Sequence, residues 1–406
     1  MLGTRKTGRD GEEPGGVEVR RCTQVVFTVA PNQTLGDCFA YDGAAMARSD
    51  YTQRAKATLF WAILVCLASQ VGLAVYVDTR CADLSDPEFG VRLNVLRRAL
   101  AASPGRPLLV AIGSSRTSDG FATDPLQARL SNPAAPITFN MGIKGTGPFK
   151  ELLCLRRLLQ AGIRPQSVLI EVLPGLLHVD SEAIHRVDYL PVETVHRKDL
   201  ELCRRYIPDR AWSYEREWFL GQCLPAYSRR LLLLQRFAFD WLPPEVSAAV
   251  TDTRAMLTPL GWRPNRWQGE PNYPMGVAMA RRAYAPLLKY DAIPPTTDRI
   301  MREMLELCRR EHIHVAGLVA MPEGHSFRAL YAAVTERVVR DYLNSLAADY
   351  DTRFIDARDW VDDRYFFDGH HLLSQGAEIF TARLWKEIGP PSVREAPAVD
   401  AVIARR

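Results

Sequence analysis

The chain has 406 residues, 47% hydrophobic and 24% charged, with a formal net charge of +4. This composition is globular and not that of a disordered chain, with length for a sizeable core, while so small a charge excess gives no reason to expect a nucleic-acid partner, which usually needs a concentrated basic face. Eight cysteines with no C-x-x-C pair argue against a zinc or redox-dithiol site.

Residues 1–56 are expected to form a cytoplasmic, disordered leader, because residues 1–45 are rich in Gly and charge and show no helical or strand period. Met46 is an alternative start, since MARSDYTQRAKATLFWAIL reads as a short basic leader entering an anchor. Residues 57–77 (ATLFWAILVCLASQVGLAVYV) carry no charge and are expected to form a transmembrane helix. At 1.5 Å per residue such a run spans about 30 Å, the thickness of a bilayer's hydrocarbon core. Only Ser69 and Gln70 dilute it, and Trp61 and Tyr76 sit near its ends, where interfacial aromatics belong. A buried core helix and a cleaved signal peptide are the competing readings. Arg48, Arg54 and Lys56 precede the run, whereas Asp78, Arg80, Asp83, Asp86 and Glu88 follow it. That asymmetry predicts a single-pass protein with a cytoplasmic N-terminus and an extracytoplasmic domain. If that domain is exported, one or two disulfides are open to Cys81, Cys154, Cys203, Cys223 and Cys308; buried unpaired thiols are the other reading.

After a linker or helix at 78–104, apolar strand-like runs alternate with helical patterns across 105–390. This is the rhythm of βαβ units and predicts an α/β domain with a five-stranded parallel sheet. The expected strands are 107–113 (PLLVAIG), 137–141 (ITFNM), 167–173 (SVLIEVL), 313–320 (IHVAGLVA) and 352–356 (TRFID); continuous apolar runs of this kind suit strands buried on both faces. Helices are expected at 149–161, 297–311, 327–348 and 375–388. The stretch 178–294 breaks the rhythm with Trp, Tyr, Arg and Pro and is read as a helical insertion over the C-terminal ends of the strands. Within it, 228–242 (SRRLLLLQRFAFDWL) is an Arg-flanked apolar helix, either core or resting on a membrane surface. Residues 391–406 are expected to be a disordered tail.

Two places carry chemistry. The first strand ends in Gly113-Ser114-Ser115-Arg116-Thr117, a strand-to-helix turn that presents a hydroxyl at the C-terminal edge of the sheet, where open α/β folds bind ligands; a plain helix N-cap is the bland alternative. The last strand leads to Asp368-Gly369-His370-His371. Three-residue spacing lets the Asp368 carboxylate accept the Nδ1 proton of His371 and turn Nε2 toward a serine. His370 lies at the wrong spacing for that pairing. The other histidines, including His178, His325 and the His312/His314 pair, lack metal-site spacing with acidic partners, so neither metal nor cofactor is expected.

A strand ending in GSS, then Asn140-Met-Gly142-Ile-Lys144-Gly145, then Asp368-x-x-His371-Leu with a following Gly, resembles the SGNH (GDSL-like) hydrolase superfamily over roughly residues 105–390, the middle insertion aside. The GSS form is similar to the membrane-anchored branch that includes polysaccharide and teichoic-acid O-acylation proteins. The resemblance implies a flavodoxin-like three-layer sandwich with strand order 2-1-3-4-5, Ser115 as nucleophile, and a Ser115–His371–Asp368 triad. It implies an oxyanion hole from the N–H groups of Ser115 and Gly145, with Gly142 the next donor to test. In this comparison Ser114 stands where GDSL members have Asp. The Asn that the third family block supplies to the hole is missing, since that place reads Glu171-Val-Leu-Pro174-Gly175. Arg116 and Lys144 are charges near the expected hole, or else solvated surface charges. The function implied is a serine esterase acting on acyl, chiefly acetyl, esters, with an ester or glycan as substrate. The alternatives are O-acetyl transfer to an envelope polysaccharide with a membrane-bound O-acyltransferase as partner, and a degenerate domain that binds glycan without catalysis.

Overall fold

The computed structural model describes residues 42–80, 86–130, 135–178, 184, 190–247 and 256–388. Of the expected leader 1–56, residues 1–41 lie outside these, as do the expected tail 391–406 and Cys81, whereas residues 42–56, expected to be disordered, belong to a helix. The chain divides into two units, residues 1–63 and 64–406. A helix runs over Asp42–Arg80, and its Tyr51–Val77 stretch is long and apolar enough to cross a membrane. Leu59, Phe60, Trp61, Val65 and Val71 are all exposed, so this is not the buried core helix of the competing reading.

In the second unit five strands, β1 (Leu108–Gly113), β2 (Ile137–Gly142), β3 (Ser167–Glu171), β4 (His314–Ala320) and β5 (Phe354–Asp356), form an all-parallel sheet in the order β2-β1-β3-β4-β5. The domain is α/β, as the alternating pattern predicts. β1 shows why the runs are apolar throughout: a strand's side chains alternate between two faces, and here both faces are covered. Leu108, Val110 and Ile112 enter one core, which also takes side chains from helices Pro87–Ala102, Pro148–Gln160, Pro295–Arg310 and Ala333–Asp349. Leu109 and Ala111 enter the other core, with Leu126, Phe380 and Leu384 from helices Thr123–Arg129 and Ser374–Ile388. Pro opens the helices at 87, 148 and 295, where a missing N–H costs nothing.

The expected single helix over 327–348 is in fact a turn, His325–Arg328, followed by a helix at Ala333–Asp349. Between them the Ala332 N–H leaves the helical ladder for the Leu288 carbonyl at 3.1 Å.

The described residues of the stretch expected as one insertion fall into three parts with different surroundings. Helix Leu200–Tyr206 extends the first core through Leu202, Cys203 and Tyr206. Arg157 fastens it there, with ion pairs of 2.6 Å to both Asp199 and Asp86, all three side chains being buried. Helix Pro208–Cys223 and the segments Pro225–Ser228, Arg230–Phe237 and Phe239–Trp241 follow. None of the Arg230–Phe237 residues is buried, so this apolar run is not core. The third part returns to the sheet: the Leu260 carbonyl accepts from Asn140 N on the open edge of β2, at 2.9 Å. Gly261, at φ +83°, brings its backbone against the Asn140 carbonyl, where a Cβ would collide.

No disulfide forms among the described residues: Cys66, Cys154, Cys203, Cys223 and Cys308 are free thiols. Burial pushes the Cys154, Cys203 and Cys308 thiols up to about 12.

Candidate active site

β1 ends at Gly113, and a short helix begins at Ser115. The turn between them is held from below by Glu171, the last residue of β3. Its carboxylate accepts from Ser114 N (2.7 Å), Ser114 Oγ (2.7 Å), Thr117 N (3.2 Å) and Thr117 Oγ1 (2.6 Å). Ser114 also caps the helix, its hydroxyl oxygen accepting from Arg116 N at 3.1 Å. Asn140 braces the other side: its side-chain amide donates to the carbonyls of Thr117 (2.7 Å) and Phe121 (2.8 Å). Ser115, half-buried, is the residue this bracing leaves facing outward.

The loop after β5 closes as a small hairpin. Phe366 and Leu372 form an antiparallel bridge, and Phe367 N donates to the His371 carbonyl at 2.8 Å. Gly369 turns it at φ +88°, a conformation that favours glycine. The turn folds Asp368 back on the two residues that follow Gly369: Oδ1 accepts from His371 N (2.8 Å) and His370 N (3.2 Å), and Oδ2 lies 2.8 Å from His371 Nδ1. The other ring nitrogen of His371, Nε2, lies 2.8 Å from Ser115 Oγ, although the two residues are 256 positions apart in the chain. The three expected triad residues therefore form one hydrogen-bonded line.

Electrostatics orient that line. Burial disfavours the Asp368 carboxylate, but the hydrogen bond and charge of His371, with His370 beside it, outweigh burial and hold the carboxyl well below its ordinary range. Burial likewise lowers His371, yet Asp368 and, more weakly, Asp119 raise it above its ordinary 6.5. His370 goes the other way: burial first, and the neighbouring His371 second, keep it well below 6.5 and neutral. Its ring stacks on Phe327 with centroids 5.0 Å apart. In keeping with the spacing argument, the His370 ring comes near the same carboxylate without pairing with it: Nδ1 lies 3.2 Å from Asp368 Oδ1. The direction is wrong for a hydrogen bond, and Nδ1 is left without a partner.

Asp368, His370 and His371 bring three donor atoms within 4.8 Å of one another, a cluster small enough to hold an ion that the spacing argument did not foresee. Its carboxylate, however, already accepts two backbone N–H groups and faces His371 Nδ1, a proton that an ion bound there would displace.

The expected oxyanion donors separate. The Gly142 N–H donates to Asn140 Oδ1 at 2.9 Å and is not free to bind a ligand. Gly142 is a packing glycine, since a Cβ there would run into Ser118 N and lie 2.8 Å from the Ser114 carbonyl oxygen. Gly145 lies in an exposed turn at φ +60°. Ser115 N sits in the first helical turn, where N–H groups lack intrahelical acceptors. Arg116 is not a solvated charge. Buried, it pairs with Glu323 at 3.1 Å and donates to the carbonyls of Met321 (2.8 Å) and Pro322 (3.0 Å). Lys144 is exposed.

Sequence reasoning missed Glu171 as a brace, reading it only as a missing Asn. The available signal was an acid closing an otherwise apolar strand, because a buried carboxylate requires donors. It also missed the third part of the insertion. Asp119 forms an ion pair with Arg263 at 2.6 Å, and its carbonyl accepts from Trp262 Nε1 at 2.8 Å. Gly276 lets helix Pro274–Tyr284 approach Asp368 closely. Beside the hairpin, Trp267, Tyr273 and Phe367 form an aromatic cluster with centroids 5.1–6.0 Å apart.

The chain matches no protein-family model and no curated protein.

Proposed function

We propose that this protein is a membrane-anchored serine esterase of the SGNH type, carrying its catalytic domain outside the cytoplasm. The observation that carries the reading is the unbroken line Ser115 Oγ–His371 Nε2–His371 Nδ1–Asp368 Oδ2, with both links 2.8 Å. That is the geometry a hydroxyl needs to lose its proton as it attacks. Ser115 Oγ adds to the ester carbonyl while His371 Nε2 takes its proton and Asp368 stabilises the imidazolium. The carbonyl oxygen, now negative, is met by the N–H groups of Ser115 and Gly145. Collapse expels the alcohol, which takes the proton from His371 and leaves an acyl-Ser115 ester. Water, deprotonated by the same His371, then releases the acid. The strand order β2-β1-β3-β4-β5 supports the SGNH-type, flavodoxin-like assignment, because it brings the ends of β1 and β5 to one edge. The basic residues before Ala57 support an outward-facing domain.

A second reading has a carbohydrate hydroxyl replace water as the acyl acceptor, with a membrane-bound O-acyltransferase as partner. The aromatic cluster of Trp267, Tyr273 and Phe367 favours a sugar-bearing substrate, because sugar C–H faces pack on aromatic rings.

A fluorophosphonate probe tests the core of the proposal. The folded protein is expected to be labelled, and Ser115→Ala and His371→Ala to abolish labelling. Wild-type labelling in His371→Ala refutes the triad, and no labelling of folded wild-type protein favours a glycan-binding domain without catalysis. Acetyl release from a chromogenic ester, compared with acetyl transfer to an oligosaccharide, separates hydrolysis from transfer.

A further inference from the structure

Between Pro208 and Trp241 the surface does not suit water. Trp212, Phe219, Leu224, Tyr227, Phe237 and Trp241 are all exposed, Trp241 to 79%. Soluble proteins seldom leave so many large apolar side chains in one stretch uncovered. Three further features concern what covers them. Leu232 and Leu233, like Leu73, pack against Val77 at the C-terminal end of the apolar run. The Gln70 side-chain oxygen, the strongest polar group within that run, accepts from the backbone N–H of Ala226 at 3.2 Å. Ala226 N is in the first turn of the Pro225–Ser228 helix, where an N–H has no intrahelical acceptor. In hydrocarbon such a group must find a partner inside the protein. Finally, residues 220–241 carry three arginines and a single acid, Asp240. One of these, Arg230, lies over the Tyr227 ring at 4.4 Å. Long cationic side chains reach back toward headgroups while their stems stay in apolar surroundings.

We propose that the segment from about Leu220 to Trp241 is a second membrane-embedded element, seated in the outer half of the bilayer beside the apolar helix, with lipid covering its exposed face. This rests on the reading that residues 57–77 span the bilayer. Gln70 precedes Val77 by seven residues, about 10 Å of helix, so the Pro225–Ser228 turn enters the hydrocarbon to roughly that depth. One spanning helix leaves a domain free to swivel, whereas a second lipid contact fixes its orientation to the membrane.

The test uses the full chain in phosphatidylcholine–phosphatidylglycerol vesicles, with or without acyl-chain-brominated phosphatidylcholine, which quenches only tryptophans that touch lipid tails. Trp61→Phe and Trp241→Phe are each expected to remove a distinct share of the quenching. If Trp61→Phe does so and Trp241→Phe leaves quenching unchanged, the second element is refuted while the spanning helix stands; the exposed face then belongs to a protein partner. If Trp61→Phe has no effect, the spanning reading fails and the inference fails with it. As an independent measurement, Gln70→Leu is expected to speed amide exchange at Ala226 in the same vesicles. Unchanged exchange there overturns the role given to Gln70.

Discussion

Replacing Glu171 with glutamine removes a charge from beneath the turn that carries Ser115 while keeping its shape. Oε2 accepts three hydrogen bonds and Oε1 one. A glutamine oxygen in the Oε2 position retains three acceptor contacts, and its NH₂ then faces the Ser114 hydroxyl, which must change from donor to acceptor. Charged and neutral hydrogen bonds differ by about 1–1.5 kcal/mol each, and the lower cost of burying a neutral amide offsets part of that difference, so the net loss is about 1–3 kcal/mol. Glu171→Ala is harsher. The hydroxyls can rotate to other acceptors, but the buried N–H groups of Ser114 and Thr117 cannot, and each unsatisfied group costs about 1–3 kcal/mol. The alanine variant is thus expected to lose about 2–6 kcal/mol, a large share of a typical folding free energy of about 5–15 kcal/mol. Thermal unfolding of the full chain in detergent measures both. Fluorophosphonate labelling of the still-folded Glu171→Gln variant is expected to slow roughly ten- to a hundred-fold, because displacement of a nucleophile by a fraction of an ångström is costly. If both variants unfold like wild type and the glutamine variant labels at the wild-type rate, Glu171 does not brace the turn.

On the proposed mechanism, the dependence on pH follows from His371, which must be neutral to accept the Ser115 proton. Its pKa is raised above 6.5, so the esterase rate is expected to climb with pH to a midpoint above 6.5, and Asp368→Asn to shift that midpoint down; an unshifted midpoint contradicts the pairing. The same shifts act on stability: the His371 contribution is complete below 6.5 and lost as pH rises through its raised value. The contribution of Asp368 is complete above 3.8 and lost as pH falls toward its depressed value. Urea unfolding at several pH values reads both slopes. Gly142→Ala forces a Cβ against backbone atoms of the Ser114–Ser118 turn and is expected to cost about 1–3 kcal/mol or more and to slow labelling; a neutral effect on both would show that the turn yields freely. His370→Ala is expected to leave most labelling intact while His371→Ala abolishes it, and equal losses would reassign the base. Trp267→Ala is expected to raise KM for acetylated oligosaccharides and leave the rate on a simple chromogenic ester unchanged; parallel loss on both substrates argues against a sugar platform.

Much of this protein was legible from local pattern. Strands such as 108–113 announce themselves because a parallel strand covered on both faces must be apolar at every position, and the apolar helix announces itself by its uncharged length. Asp368 and His371 are three residues apart, so their pairing is a property of one short loop. A serine at the sheet's C-terminal edge was legible because the small-residue turn follows an apolar strand, but the choice of Ser115 over Ser114 came from the resemblance and not from local pattern. The remaining features depend on partners far along the chain. Glu171 is 57 residues from Ser114 and Arg116 is 207 from Glu323, and no local period encodes such pairs, so one read as a lost donor and the other as a charge of undetermined surroundings. Gly142 falls in the stretch that carries the resemblance, yet its N–H donates to Asn140 two residues away, a bond that depends on how the Asn140 side chain turns between β2 and the 115–120 helix. The run LLLL at 231–234 shows the same limit. Uninterrupted apolar residues mark what must avoid water, but whether a core or a bilayer provides the shelter depends on what the folded chain brings alongside, and the tertiary structure brings the end of the apolar helix.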